Sequence, residues 1–248
     1  MAAEPTPWRL LAPIEADGSW QMAIDRWLLA QAVAGERRPV LRFYRWSRPT
    51  LSLGYHQRDL DPAWSELVTS GTLAMVRRPS GGQAVLHAGD LTYALVWPQA
   101  PASRRQSYAI ASRWLVDGFE RLGVSLGFGE APARPSSNNC FSSSTAADLV
   151  EAGGGKRVGS AQLWRRGCLL QHGSVLIEPP EGLWRQVFGS APPNLTPLPE
   201  AVRHWRDLAA HLAAVAAETL QEDPAGPLEP MTLSPTDWAQ IRRERLVH

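Results

Sequence analysis

From Val40 to Trp97 short strand-like runs follow one another closely, while long segments on either side repeat their apolar residues with a helical period. This interleaving limits what the chain can fold into. Val40–Trp46 and Thr50–Leu53, parted by Ser47-Arg48-Pro49, alternate as strands do, and 73–76, 83–86 and 91–97 continue the series. Residues 20–33 place Trp20, Ile24, Trp27, Leu28 and Gln31 along one stripe, with Gly35 just beyond. Asp61-Pro62 opens a short helix that Gly71 closes. Residues 106–122 set Tyr108, Ala111, Leu115, Phe119 and Leu122 on one side of a second long helix. Residues 158–164 and 168–177 form a hairpin about Arg165-Arg166-Gly167, which Pro179-Pro180 closes off. An alanine-rich helix (204–220) and a short one from Thr236 end the chain. Residues 127–145, dense in Gly, Pro, Ser and Asn, read as an irregular loop, functional or mobile. Strands and helices intermix without repeats or a domain break, so the expectation is one α+β (mixed α/β) domain over 1–248.

Composition removes several classes of function. A net charge of +1 argues against bulk nucleic-acid binding, although Arg104-Arg105, Arg165-Arg166 and Arg242-Arg243 offer local patches for an acidic partner. No stretch approaches the roughly 20 apolar residues of a membrane helix, and the first twenty residues lack signal-peptide order. Cys140 and Cys168 are too few for a disulfide framework, which points to a reducing cytoplasm. The six histidines and two cysteines show no metal-ligand spacing, so no metal is expected.

Lys156 is the sole lysine among 25 basic residues, in Gly153-Gly154-Gly155-Lys156-Arg157-Val158-Gly159-Ser160-Ala161-Gln162. A site that keeps lysine against this bias needs a compact, mobile ammonium that guanidinium cannot replace. The small residues Gly159, Ser160 and Ala161 leave room for a chain-like ligand. A second segment, Arg77-Arg78-Pro79-Ser80-Gly81-Gly82-Gln83-Ala84-Val85-Leu86-His87, puts two glycines between strands, where backbone can approach a ligand. It lacks the Lys-Ser/Thr and following helix of a P-loop. Cys140 lies in a polar loop, which suits a reactive thiol better than a packing one. Cys168, among Leu169 and Leu170, reads as core. His172 faces either the site or the core.

Together these segments resemble the lipoate–protein ligase A family of the biotin/lipoate ligase superfamily. The resemblance runs over about residues 20–180 through Trp20-Gln21-Met22-Ala23-Ile24-Asp25, Arg42-Phe43-Tyr44-Arg45-Trp46, Pro49-Thr50-Leu51-Ser52-Leu53-Gly54, the Gly81-Gly82 segment, Leu91-Thr92-Tyr93, Asp148-Leu149-Val150, the Lys156 segment and Leu170-Gln171-His172-Gly173. It implies a central, mostly antiparallel sheet flanked by helices. It also implies an acyl pocket lined by Arg77, Gly81, Gly82, Gln83, Ala84, Val85, His87, Tyr93, Asp148, Gly159, Ser160, Ala161, His172 and Gly173, with Lys156 holding the acyl carbonyl. The chain departs from the family pattern at Gln83, Ala88, Ala94, Asn138-Asn139 and Ser142-Ser143-Ser144.

Two branches of the family differ in chemistry. Cysteine-type octanoyltransferases hold an octanoyl group as a thioester on a cysteine shortly before the lysine, and Cys140 stands sixteen positions before Lys156. The residues after Leu195 hold only two helices, too little for the ligases' accessory domain. The resemblance therefore implies a transferase that takes octanoate from acyl carrier protein, without cofactor, and passes it to a lysine of a lipoyl domain or glycine-cleavage H protein. Cys140 and Lys156 would be catalytic, and His87 and His172 candidates for proton transfer. The rivals are a lipoate or octanoate ligase using ATP and Mg, and a non-catalytic acyl binder.

Overall fold

The computed structural model describes residues 7–100, 104–129, 139–142, 145, 147–220 and 227–246. In chain order the elements are β1 (Arg9–Ala16), α1 (Gly18–Val33), β2 (Val40–Trp46), β3 (Thr50–Leu53), α2 (Pro62–Thr69), β4 (Ala74–Arg77), β5 (Val85–His87), β6 (Asp90–Trp97), α3 (Arg104–Glu120), β7 (Leu126–Phe128), β8 (Leu149–Glu151), β9 (Lys156–Arg165), β10 (Cys168–Leu176), α4 (Glu181–Phe188), α5 (Trp205–Thr219), β11 (Glu229–Met231) and α6 (Pro235–Leu246). The larger sheet has the order β11-β1-β2-β6-β10-β9-β8-β7, and β4-β3-β5 form a smaller one. Only the ladders of β1 with β11 and β2 are parallel in the larger sheet, which is mostly antiparallel as expected.

Helices cover both faces of the larger sheet, so its central strands are apolar almost throughout. Leu41, Phe43, Leu91, Tyr93, Leu95 and Leu169 face the core that α3 and α5 complete. Tyr44, Ala94, Val96, Cys168 and Leu170 face α1 and α6, so Cys168 is core, as its sequence context indicated. Asp17 caps α1 by accepting from the Trp20 amide at 3.1 Å. Sandwiched between sheet and α6, α1 buries Met22, Ala23, Asp25 and Leu29 besides Ile24, Trp27 and Leu28 of the expected stripe, while Trp20 and Gln31 are half-buried.

Five of these elements escape the sequence reading: β1, β7, β8, α4 and β11. β1 contains Pro13, which demotes a strand on propensity; here the register shifts between Leu11 and Ile14, a bulge that absorbs the missing donor. α4 follows the Pro179-Pro180 pair read as an end, although Leu183, Trp184, Val187 and Phe188 have helical spacing and Gly189 closes the helix at φ 68. The irregular segment 127–145 includes the end of β7 and a 3-10 turn at Cys140–Ser142; its residues 130–138, 143 and 144 lie outside the described residues.

The smaller sheet presents the Gly81-Gly82 segment to the larger one. β5 starts at Val85, two residues later than the alternation suggests, because the preceding backbone turns around Arg78. That buried guanidinium donates to the carbonyls of Ser52 (2.8 Å), Gly81 (2.9 Å) and Gln83 (2.7 Å). Gly82 takes φ 98, in the region that favours glycine. Its carbonyl oxygen would lie 1.8 Å from a Cβ on Gly54. Gly54→Ala is therefore expected to destabilise the fold by at least about 1–3 kcal/mol through overpacking. Gly153→Ala, with nothing near its Cβ, should cost about 0.5 kcal/mol or less; urea unfolding midpoints of the two variants check the difference.

Candidate active site

The turn between β8 and β9 brings one acid and one amine together. Glu151 and Gly155 close it, the Glu151 amide donating to the Gly155 carbonyl at 2.9 Å, and Gly154 takes φ 85. Lys156 opens β9 opposite Val150, and Asp148 immediately precedes β8. The Lys156 ammonium thus reaches Asp148 Oδ1 at 3.0 Å, with both side chains buried. Asp148 is itself held: its Oδ2 accepts from the Thr145 amide (2.7 Å) and hydroxyl (3.1 Å).

Cys140 arrives from the other side. Its amide donates to the Ala84 carbonyl at 3.0 Å and Asn139 bridges Ala84, which ties this segment to the Gly81-Gly82 turn. Lys156 Nζ then donates to the Cys140 carbonyl at 2.6 Å and lies 3.6 Å from its Sγ. The sulfur is half-buried while the ammonium is buried. Arg78 supplies a second cation: burial lowers its pKa, and the charge of the nearby Cys140 partly restores it.

A cavity of about 60 Å³ opens beside the thiol, between β5, β9 and β10. Cys140, Gly82, Gly159 and Ser160 line it, and Met22, Tyr44 and Trp46 contribute apolar surface from α1 and β2. Gly173 keeps one wall thin, since a Cβ there would meet Tyr93 at 2.6 Å and the Gly159 carbonyl at 2.8 Å. Behind it the Tyr93 hydroxyl, pushed up to about 12 by burial, stays a neutral phenol bonded to Ser160 (2.9 Å) and Gln171 (2.9 Å).

Both histidines that line the cavity are committed elsewhere. His87 Nδ1 meets Asp90 Oδ2 at 2.8 Å, and its Nε2 meets Ser52 Oγ at 2.8 Å. A carboxylate only accepts, so Nδ1 carries the proton and Nε2 accepts from the serine. His172 repeats the pattern with Asp25 (2.9 Å) and Ser80, and Asp25 also takes Arg42 at 2.9 Å. Each ring is thus held at both nitrogens, between a carboxylate and a serine hydroxyl.

The model of the lipoyl protein ligase A/B catalytic domain matches residues 17–194. The chain belongs to this family. Among its relatives, an octanoyltransferase of Kyrpidia tusciae is 39% identical over 189 residues, which is 71% of this chain and 69% of the relative. The octanoyltransferase of Bacillus subtilis is 36% identical over 183 residues, 69% of this chain and 66% of the relative. Such matches span about two thirds of those relatives' lengths. A Thermoplasma acidophilum lipoate protein ligase solved with lipoic acid superposes with TM-score 0.78 at 22% identity, covering 96% of this chain and 94% of its own. A lipoate-protein ligase A bound with ATP gives 0.74 at 21%, covering 97% and 94%. At those identities the likeness is one of fold.

Within this family fold, Cys140, Gly82, Val85, His87, Gly159, Ser160, Ala161, His172 and Gly173 line the cavity. Tyr93 bonds Ser160 of the wall, the Ala84 carbonyl accepts from the Cys140 amide, Asp148 pairs with Lys156, and the Gly81 and Gln83 carbonyls hold the Arg78 guanidinium. Arg77 stands apart from the expected lining. It is exposed and donates to the carbonyls of Gly54 (2.7 Å) and Gln57 (2.7 Å), because on β4 it points opposite to its neighbour. Arg78 takes the inward place. Sequence reading missed it and the apolar wall of Met22, Tyr44 and Trp46; the alternation of 40–46 marked the latter as buried without saying against what.

Burial lowers the pKa of His87, with Asp90 opposing. Its folded value thus lies below the free value of 6.5, and its neutral form contributes stability that is present above that value and lost as pH falls below it. The urea midpoint of the wild type is expected to fall more steeply from about pH 7.5 to about pH 5 than that of His87→Gln. Equal slopes would contradict a neutral, buried His87.

Proposed function

We propose that octanoyl transfer by this protein runs through a thioester on Cys140, with the whole chain acting as one catalytic domain and no cofactor. The approach of Lys156 Nζ to the Cys140 sulfur carries this reading. The Cys140 thiolate attacks the carbonyl of an octanoyl thioester borne by an acyl carrier protein. The carbon–sulfur bond to the carrier breaks, and the carrier's thiol leaves with the proton. The amine of a lysine on a lipoyl domain or glycine-cleavage H protein then attacks the enzyme thioester. The amide forms, Cys140 leaves as thiolate, and the amine's proton returns to it.

Each addition puts negative charge on the carbonyl oxygen. In the free enzyme the ammonium bonds the Cys140 carbonyl and Asp148, so a donor is present and oriented before substrate arrives. Asp148 holds that buried ammonium in place at 3.0 Å, which suits an electrostatic role. The apolar surface of Met22, Tyr44 and Trp46 suits a saturated chain. The octanoyltransferase relatives, which span most of the chain, support the same substrate.

Incubation with octanoyl carrier protein should give a hydroxylamine-sensitive octanoyl adduct by intact mass in the wild type and none in Cys140→Ala. A Cys140→Ala protein that octanoylates its acceptor at the wild-type rate would remove the thioester from the scheme. Octanoate-dependent pyrophosphate release from ATP, indifferent to that substitution, would indicate a ligase instead. Lys156→Arg, which keeps the charge but not the compact shape, is expected to slow adduct formation by about 100-fold with little change in unfolding midpoint.

A further inference from the structure

Beyond Val158, β9 has no strand partner on its outer side among the described residues, because β8 pairs with it only at Lys156 and Val158. A groove of about 840 Å³ follows this edge, far larger than the acyl cavity. The two are contiguous along the backbone on both sides. Gly82 lines the cavity and Gly81 the groove; Ala161 lines the cavity and Gln162 the groove. Leu29, Tyr55, Tyr108, Leu163 and Trp164 make its walls largely apolar and aromatic.

The charge in the groove is one-sided. Arg26, His56, Arg77, Arg78 and Arg165 line it against a single acid, Glu244. Arg77 is taken by backbone carbonyls, and Arg26 donates to the Glu244 carbonyl at 3.3 Å. Arg165 differs from these. It is exposed at the outer end of β9, set there by the left-handed turn of Arg166 (φ 50) and Gly167 (φ 81), and its side chain has no hydrogen-bond or ion-pair partner among the described residues. From Gly159, against which the Lys156 side chain lies, to Arg165 the strand runs about 20 Å.

We infer that this groove holds the phosphate-bearing thiol arm of the donor carrier protein, with its thioester at Cys140 and its phosphate against Arg165; this rests on the reading of the donor given above. A slender arm with amide groups fits a long apolar trench that ends in a cation. The competing occupant, an acceptor lysine, is a poor match. Its stem is much shorter than the trench, and its ammonium is repelled by the arginines.

Binding of carrier protein to the enzyme, measured by fluorescence anisotropy at fixed ionic strength, tests the assignment. Carrier protein bearing the arm should bind about tenfold tighter than the apo form without it. Arg165→Glu should erase that difference and Arg165→Lys should keep most of it. Equal affinity of the two carrier forms for the wild type overturns the assignment. So does an Arg165→Glu protein that still prefers the arm-bearing form, or that loses affinity for a lipoyl domain while holding the carrier unchanged. Loss of the Cys140 adduct with the binding preference intact would fell the thioester reading and leave the groove standing.

Discussion

An ammonium taken out of water is tolerated only beside a fixed opposite charge, and the pairing of Lys156 with Asp148 meets that condition. Much of the local fold serves it. The glycine turn of β8 and β9 sets the two residues on neighbouring strands, Thr145 holds the carboxylate, and Gly155 packs so closely on Asn194 that a Cβ would reach its carbonyl at 2.2 Å. Next door, Arg157 and Glu151 form a second buried pair, and Glu151 also accepts from the Thr196 amide at 2.8 Å. The segment after α4 is thereby strapped under the turn. A positive centre built this rigidly needs no rearrangement when charge develops near it, which is the physical content of preorganisation.

The same economy appears in the cavity wall. Several polar side chains are buried around it, and each has a partner: His87 with Asp90 and Ser52, His172 with Asp25 and Ser80, Tyr93 with Ser160 and Gln171. Satisfied in this way, they present a fixed shape to a ligand, and their hydrogen-bonding capacity is turned inward. Trp46 stacks on His87 at 4.0 Å between centroids and donates to Thr92, so even the apolar wall is pinned by the polar network. The Cys140 thiol lines the same cavity, with the Lys156 ammonium 3.6 Å from its sulfur.

Much of the architecture was legible from periodicity. Alternation located β2, β3, β6, β9 and β10, and the long helices appeared where apolar residues repeated at helical spacing. The misses have identifiable causes. Pro13 hides β1 because a bulge, invisible in sequence, absorbs it. The Pro179-Pro180 pair masks α4 because proline both ends one element and starts the next. At the site, Arg77 and Arg78 are adjacent and chemically identical, and only the run of the backbone leaving β4 decides that Arg78 lines the cavity while Arg77 bonds the Gly54 carbonyl.

What the sequence by itself determined is chemical. A single lysine in an arginine-rich chain, a cysteine in a polar segment and a pair of glycines between strands are local facts, and each limits the chemistry its segment performs. What tertiary structure decided is convergence. The Asn139–Ala84 bridge and the β8–β9 turn bring sulfur and nitrogen to 3.6 Å from segments whose spacing in the chain says nothing about distance. The partners of both histidines were likewise settled by the fold, because His172 meets Asp25 of α1 and Ser80 of a loop, and His87 meets Ser52 of β3, all far away in the chain.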